Sequence, residues 1–243
     1  MEMNSYDVEA KVESFHWWFV VRRRLLRRLL HSLDIPQESS VVDVGCGTGS
    51  NLRTLVSVGL YKVVGLDRSL YALSLARKKV NFSFVSGDIN NLPIRSNSIG
   101  LIIAMDILEH LEDDLNGIRQ FHQALRKGAI LLLTVPAFKS LWGLQDVVTG
   151  HKRRYSRNEI LMKLREGGFE ILRSSYFNCF LFLPIFLARR LIFLFGLKIK
   201  SENEINSAPI NFLFKAIFSI EPYILKYFSF PFGVSIFCIA QKK

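Results

Sequence analysis

Short β-branched runs alternate with stretches of three- and four-residue apolar spacing, the rhythm of strands followed by helices. The first run, residues 41–44, stops at glycines, as a buried parallel strand does. Residues 62–66, 82–85, 99–104, 129–135 and 169–174 are predicted as strands two to six, and 233–240, apolar on both faces, as the last. Between them, Leu52, Leu55 and Val56 share a helix face that ends at Gly59. Ser69 caps a helix to Lys79; Asp113 or Asp114 starts another, with Ile118 and Phe121 inward and Gly128 as its stop. Ser156 and Glu159 form a capping box before a helix that ends at Gly167. Residues 14–33 read as one further helix, apolar through Phe19, Leu26 and Leu30, with Arg23, Arg24, Arg27 and Arg28 opposite. This pattern predicts an α/β fold: a doubly wound, mostly parallel seven-stranded sheet with helices on both faces.

Acidic residues recur at the carboxyl ends of the predicted strands, so Asp43, Asp67, Asp88 and Asp106 are expected to converge on one crevice. Four segments follow: an N-terminal helical region (1–36), the core (37–176), a hydrophobic helical insertion (177–232) and the last strand (233–243). The insertion is set apart by composition, because 14 of the 20 phenylalanines lie from Phe169 onward. Its apolar stretches, 180–188 and 191–197, are split by Arg189 and Arg190, and neither reaches the roughly 20 residues needed to span a bilayer. A second stretch, 210–227, follows a polar linker at 200–209. An interfacial membrane helix, a cap on a substrate pocket and a buried dimer contact all fit this composition.

Net charge changes the picture by bringing an anionic partner into consideration, whether nucleic acid, membrane surface or acidic substrate: 32 Lys and Arg stand against 21 Asp and Glu, for +11. The three cysteines are far apart, so neither a disulfide framework nor a zinc site is suggested, and no metal is expected. Residues 1–10 contain no apolar run, so no signal peptide is expected. The location expected is cytoplasmic, with a peripheral position on the inner face of the membrane as its extension.

The densest chemical information lies in VVDVGCGTG, residues 41–49. Alternate glycines let the backbone pass close beneath a bulky ligand, and the exposed amides sit beside a helix N-terminus. A dinucleotide site would need GxGxxG, but Ser50 stands at the last place. This segment resembles the first motif of class I S-adenosylmethionine-dependent methyltransferases, and the likeness continues through VVGLDRS, SGDINNLP and AMDILEHLED up to Pro136. The resemblance implies that S-adenosylmethionine binds, leaving S-adenosylhomocysteine, and that Asp43, Gly45, Gly47 and Gly49 form its cradle. By the same likeness Asp67, with Arg68 beside it, accepts the ribose hydroxyls, Asp88 and Ile89 border the adenine, and Met105 lies near the sulfonium. Phe15-His16-Trp17-Trp18-Phe19 with Arg22 and Arg23 resembles the lid helix of the same group.

The methyl group already sits on a cationic sulfur, so positioning the acceptor and removing its proton are what remain for the protein. His110 is one candidate base. GHKRRY, residues 150–155, is a second cluster, in which Arg154 would fork onto an anionic group and His151 or Tyr155 would take or orient a proton. Each has a plainer reading: helix-start packing for His110, a solvated charge run for the cluster. The expected function is methyl transfer to a small, hydrophobic or lipid-linked acceptor, preferentially on oxygen, with an anionic membrane surface as a further partner. Two rivals remain: an RNA methyltransferase, favoured by the net charge and the arginine-rich first helix, and a non-catalytic cofactor-binding or membrane-docking partner subunit. Nucleic acid ranks lower because no Asn/Asp-Pro-Pro-Tyr element and no RNA-binding module are present. Oligomeric state is left open.

Overall fold

The computed structural model describes residues 3–195 and 207–243. Seven strands form one sheet: β1 (Val41–Val44), β2 (Val63–Asp67), β3 (Ser83–Ser86), β4 (Ile99–Met105), β5 (Leu125–Pro136), β6 (Phe169–Phe177) and β7 (Ser235–Lys242). Their order is β3-β2-β1-β4-β5-β7-β6. β1 to β5 run parallel, and β7 enters antiparallel between β5 and β6. Every residue of β1 and β4 is buried, which explains why, Asp43 apart, their sequences are apolar without alternation. The order reverses between β1 and β4, the switch point where open α/β sheets place ligands.

The helices are α1 (Met3–Val12), α2 (Trp17–His31), α3 (Leu52–Ser57), α4 (Leu70–Lys79), α5 (Asp114–Ala124), α6 (Leu144–Thr149), α7 (Arg157–Glu166), α8 (Phe182–Phe195) and α9 (Ala208–Ile224). One core forms where Ile118 and Phe121 of α5 and Leu164 of α7 meet Leu131 and Leu133 of β5. On the other face, Leu25 and Leu29 of α2 and Leu55 of α3 pack with Ile103, Phe237 and Phe218 of α9.

Four local expectations are corrected. The single helix expected over residues 14–33 is preceded by a separate α1, and α2 begins only at Trp17, where His16 Nδ1 accepts the Trp18 N–H at 3.3 Å. Gly128, expected as a helix stop, lies inside β5, because the chain leaves α5 directly into a strand at Leu125 and bends at Gly128 with φ +77°. β6 runs three residues past its expected end, since Ser175, Tyr176 and Phe177 gain partners in β7 that local sequence cannot reveal. The loop expected up to Tyr155 also contains α6.

In the insertion, α9 packs on α2, and Phe218 stacks on Trp18 and Phe177. Leu183, Leu187, Leu191 and Leu194 form an exposed stripe along α8, while Phe212, Ile220 and Tyr223 are exposed on α9. Among the described residues, no helix is long and apolar enough to cross a membrane. Residues 196–199 and most of the expected linker at 200–209 lie outside the described residues.

Candidate active site

A cavity of about 1320 Å³ opens at the carboxyl ends of β1, β2 and β4, roofed by α1, the start of α2 and the insertion. Its floor is the glycine turn after β1. Gly45 and Gly47 adopt φ +71° and +52°, conformations that L side chains rarely take. A Cβ on Gly47 would meet only Glu9 Oε1, at 4.0 Å, so the backbone lies open toward the cavity. Asp67, at the end of β2, accepts the Gly47 N–H at 2.9 Å and the Ser69 N–H at 2.8 Å. Burial raises its pKa, and these two donors temper the rise. Ile89 and Met105 supply buried apolar wall, and Asp88 and Arg68 stand exposed at the rim.

The cavity's other end is ionic. Arg22 of α2 pairs with Asp106, which follows β4 with φ +56° and also accepts the Thr134 hydroxyl at 3.1 Å. Asp146 of α6 accepts from Arg154 Nε at 2.8 Å and lies 2.8 Å from His151 Nδ1. Burial raises the Asp146 carboxyl, but His151 and Arg154 outweigh it and hold the pKa at about 2. His110 and His151 meet edge to face, ring centres 4.8 Å apart. Burial, reinforced by His151, drops the His110 pKa to about 4. Glu109 is fully buried beside them, and burial and Asp106 raise its pKa.

α1 is tied over the glycine turn by four side chains. Glu13, just past its end, accepts from Thr48 and from Lys79. Asp7 accepts the Tyr71 hydroxyl at 2.6 Å, Tyr6 is buried against Asp67 and Ser69, and Glu9 faces Gly47. Burial, aided by Glu13 and Asp67 against Arg22 and Lys79, pushes Glu9 up to about 7.

Comparison with known proteins decides what the cavity belongs to. The family described as "Methyltransferase domain" matches residues 42–133, the stretch that carries the glycine turn, Asp67, Asp88 and Glu109. The ubiquinone/menaquinone biosynthesis C-methyltransferase UbiE of Campylobacter jejuni is 22% identical over 77% of this chain and 93% of its own length. The malonyl-[acyl-carrier protein] O-methyltransferase of Xylella fastidiosa is 31% identical over 54% of this chain, a match spanning only 44% of that relative. A solved phosphoethanolamine N-methyltransferase 2 of Haemonchus contortus, in complex with S-adenosyl-L-methionine, superposes with TM-score 0.60 at 17% identity, covering 90% of this chain and 52% of that one. The chain carries a methyltransferase domain and is an S-adenosylmethionine-dependent methyltransferase.

In this methyltransferase the residues present fit the cofactor: an open glycine cradle, an acid at the end of β2 and apolar walls at Ile89 and Met105. Bound there, the cofactor supplies an electrophilic methyl group. Of the expected cofactor residues, Gly45, Gly47, Asp67, Arg68, Asp88, Ile89 and Met105 line the cavity. Asp43 and Gly49 do not. Asp43 lies enclosed beneath the turn with no hydrogen-bond partner of normal geometry among the described residues, although Asn51 stands close enough to offset part of the burial that pushes its carboxyl to about 7. Gly49 admits close packing of α4, since a Cβ there would sit 3.2 Å from Ala76 Cβ.

Of the expected catalytic residues, His110, His151 and Arg154 share the cavity wall. Tyr155 does not reach it, for its side chain is fully buried and its hydroxyl donates to Asp114 at 2.9 Å. Arg153 also turns away, onto the carbonyls of Leu111 and Glu112. Sequence reasoning missed Glu109, Asp146 and the α1 acids. Asp146 carried a faint signal, standing five and eight residues before His151 and Arg154.

Proposed function

We propose that this methyltransferase modifies a small hydrophobic or lipid-linked acceptor, on oxygen, and that it draws this acceptor from an anionic membrane surface. The observation that carries the reading is the two-sidedness of α8. Ile185, Ala188 and Ile192 line the cavity, while the leucine stripe 183-187-191-194 faces solvent on the same helix. The acceptor end of the cavity is therefore walled by apolar insertion residues, including Ile210 and Phe214 of α9, with Trp17 and Trp18 beside them. Burying an apolar acceptor there stabilises its complex by roughly 25 cal/mol per Å² of apolar surface. His110 and His151 line the same cavity, placed to assist loss of the acceptor proton, and Arg154 orients the loop that carries His151 through Asp146. The quinone-directed and acyl-carrier-directed names of the two curated relatives support an acceptor of this class.

The test is transfer of label from methyl-labelled S-adenosylmethionine into separated lipid, soluble-metabolite and RNA fractions of a bacterial extract. Label in an organic-extractable product, identified as a methyl ether or ester by mass fragmentation, is the expected result. Label confined to RNA would overturn the acceptor class, and a C-methyl product would overturn the choice of oxygen.

A further inference from the structure

Glu109, His110 and His151 each offer one ligand-type atom, and these atoms lie within 4.8 Å of one another. They come from two segments: the short 3-10 turn Leu108–His110 after β4, and the loop between α6 and α7. Glu109 has no solvent exposure, neither of its oxygens has a hydrogen-bond partner in another described residue, and Oε1 lies 3.8 Å from His151 Nε2. A buried carboxyl group without partners is costly, so its retention asks for a compensating group.

The His151 imidazole is held from behind. Its Nδ1 is engaged by Asp146 Oδ1 at 2.8 Å, which turns Nε2 toward Glu109, and the His110 ring packs edge to face on it. Asp146 is itself fixed by Arg154 and the Gly143 N–H. Metal-ligating histidines show this arrangement, with the remaining ring N–H given to a carboxylate or carbonyl that fixes tautomer and orientation.

We propose that Glu109, His110 and His151 bind a divalent transition-metal ion, with zinc or manganese as the class, at the acceptor end of the cavity. Two imidazoles and one carboxylate suit such ions better than calcium or magnesium, and three protein ligands leave positions open toward the cavity that all three residues line. Bonds of about 2.0–2.2 Å would draw the three atoms closer than they stand now. The groups facing the site are Asp106, engaged by Arg22, and Asp146, engaged by Arg154. The widely spaced cysteines carried no hint of this site. Its catalytic use, polarising an acceptor oxygen so that it ionises more readily, rests on the acceptor reading above; metal binding itself does not.

The full chain, stripped with chelator, is titrated with Co²⁺ and the d–d absorption recorded, then Zn²⁺ is added to compete. One saturable equivalent is expected, weakened more than about 100-fold in Glu109→Gln and His151→Ala and about 10–100-fold in Asp146→Asn. S-adenosylmethionine binding by each variant reports that it folds. No saturable band for the wild type up to millimolar Co²⁺ overturns the proposal, as does a band that persists in the Glu109→Gln/His151→Ala double variant. Since no acceptor is present, the titration reads the metal site even if the acceptor class is wrong.

Discussion

Gly47 donates its backbone N–H to Asp67 Oδ2 at 2.9 Å, so the glycine turn after β1 and the acid at the end of β2 are held as one unit across adjacent strands. Removing the carboxylate removes the brace on the turn and, as the family resemblance implies, the acceptor for the cofactor's hydroxyls. Asp67→Ala is expected to weaken S-adenosylmethionine and S-adenosylhomocysteine alike, by about 100-fold or more, since each charged hydrogen bond contributes roughly 1.5–3 kcal/mol. Gly47→Val should fail as well, because φ +52° disfavours a β-branched side chain. Calorimetry showing wild-type affinity for Asp67→Ala would remove Asp67 from the cofactor site.

The α1 acids lead to a kinetic expectation. Glu13 joins Thr48 of the glycine turn to Lys79 of α4, and Asp7 joins α1 to Tyr71. A cofactor leaving the cradle has to disturb this covering. Glu13→Ala should raise the S-adenosylmethionine dissociation rate by about tenfold, the worth of one charge-assisted contact, with little change in association. Stopped-flow displacement that finds both rates unchanged would show that α1 does not retain the cofactor.

Stability should carry a pH signature from Glu221 of α9. Its Oε1 accepts the Phe180 N–H at 2.8 Å, Oε2 has no hydrogen-bond partner among the described residues, and burial pushes the carboxyl up to about 7 despite the backbone donors around it. The folded chain therefore binds this proton more tightly than the unfolded chain, whose Glu titrates near about 4.3. The contribution is fully present below that value and declines as pH rises toward about 7. Asp43 and Glu9 act in the same direction and His16 and His110 in the opposite one, so the wild-type curve is a sum. Glu221→Gln isolates the one term: relative to wild type it should gain up to roughly 3 kcal/mol between pH 4.5 and 8. Urea unfolding at the two pH values checks this, and a constant difference would contradict it.

Much of the sheet was legible because β1, β2 and β4 are short, β-branched and stopped by glycine or aspartate, so local pattern and final environment agree. What escaped was decided by distant partners. The end of β6 depends on β7, some 60 residues later in the chain. The division between α1 and α2 depends on Glu13 and His16 being buried against Thr48 and the aromatic cluster, where polar residues read in isolation look like solvent-facing helix. In the site, Asp67 was readable because its position relative to the glycine turn is fixed by adjacent strands. Tyr155 and Arg153 were misplaced because, in a loop without helical periodicity, these two neighbours of Arg154 turn to Asp114 while Arg154 itself turns to Asp146. Arg189, which splits the apolar stretches of the insertion, turns inward, donating to the Leu141 carbonyl and pairing with Asp146 at 3.7 Å.

That inward turn changes which residues should meet a membrane. An interfacial surface needs apolar side chains for the acyl boundary and cations for anionic headgroups. On α9, Phe212, Ile220 and Tyr223 are exposed, with Tyr227 just beyond, and the cations beside them come from α2: Arg24 donates to Ser219 at 2.9 Å and Arg28 lies 3.5 Å from the Tyr223 ring centre. Lys226 stands over Tyr227 on the same edge. The purified protein is expected to co-sediment with phosphatidylglycerol-rich vesicles at low salt, to release partly at high salt, and to bind phosphatidylcholine vesicles less well. Replacing Arg24, Arg28 and Lys226 by Glu should cost at least about 1 kcal/mol per cation, roughly 100-fold in partitioning, while leaving S-adenosylmethionine affinity unchanged. Phe212→Ser should weaken binding in a salt-independent manner, because it removes apolar area and no charge. A wild-type protein that stays in the supernatant with anionic vesicles at low salt would rule out the membrane, and dimerisation through the α8 and α9 stripes, read by sedimentation velocity, would then account for their exposure.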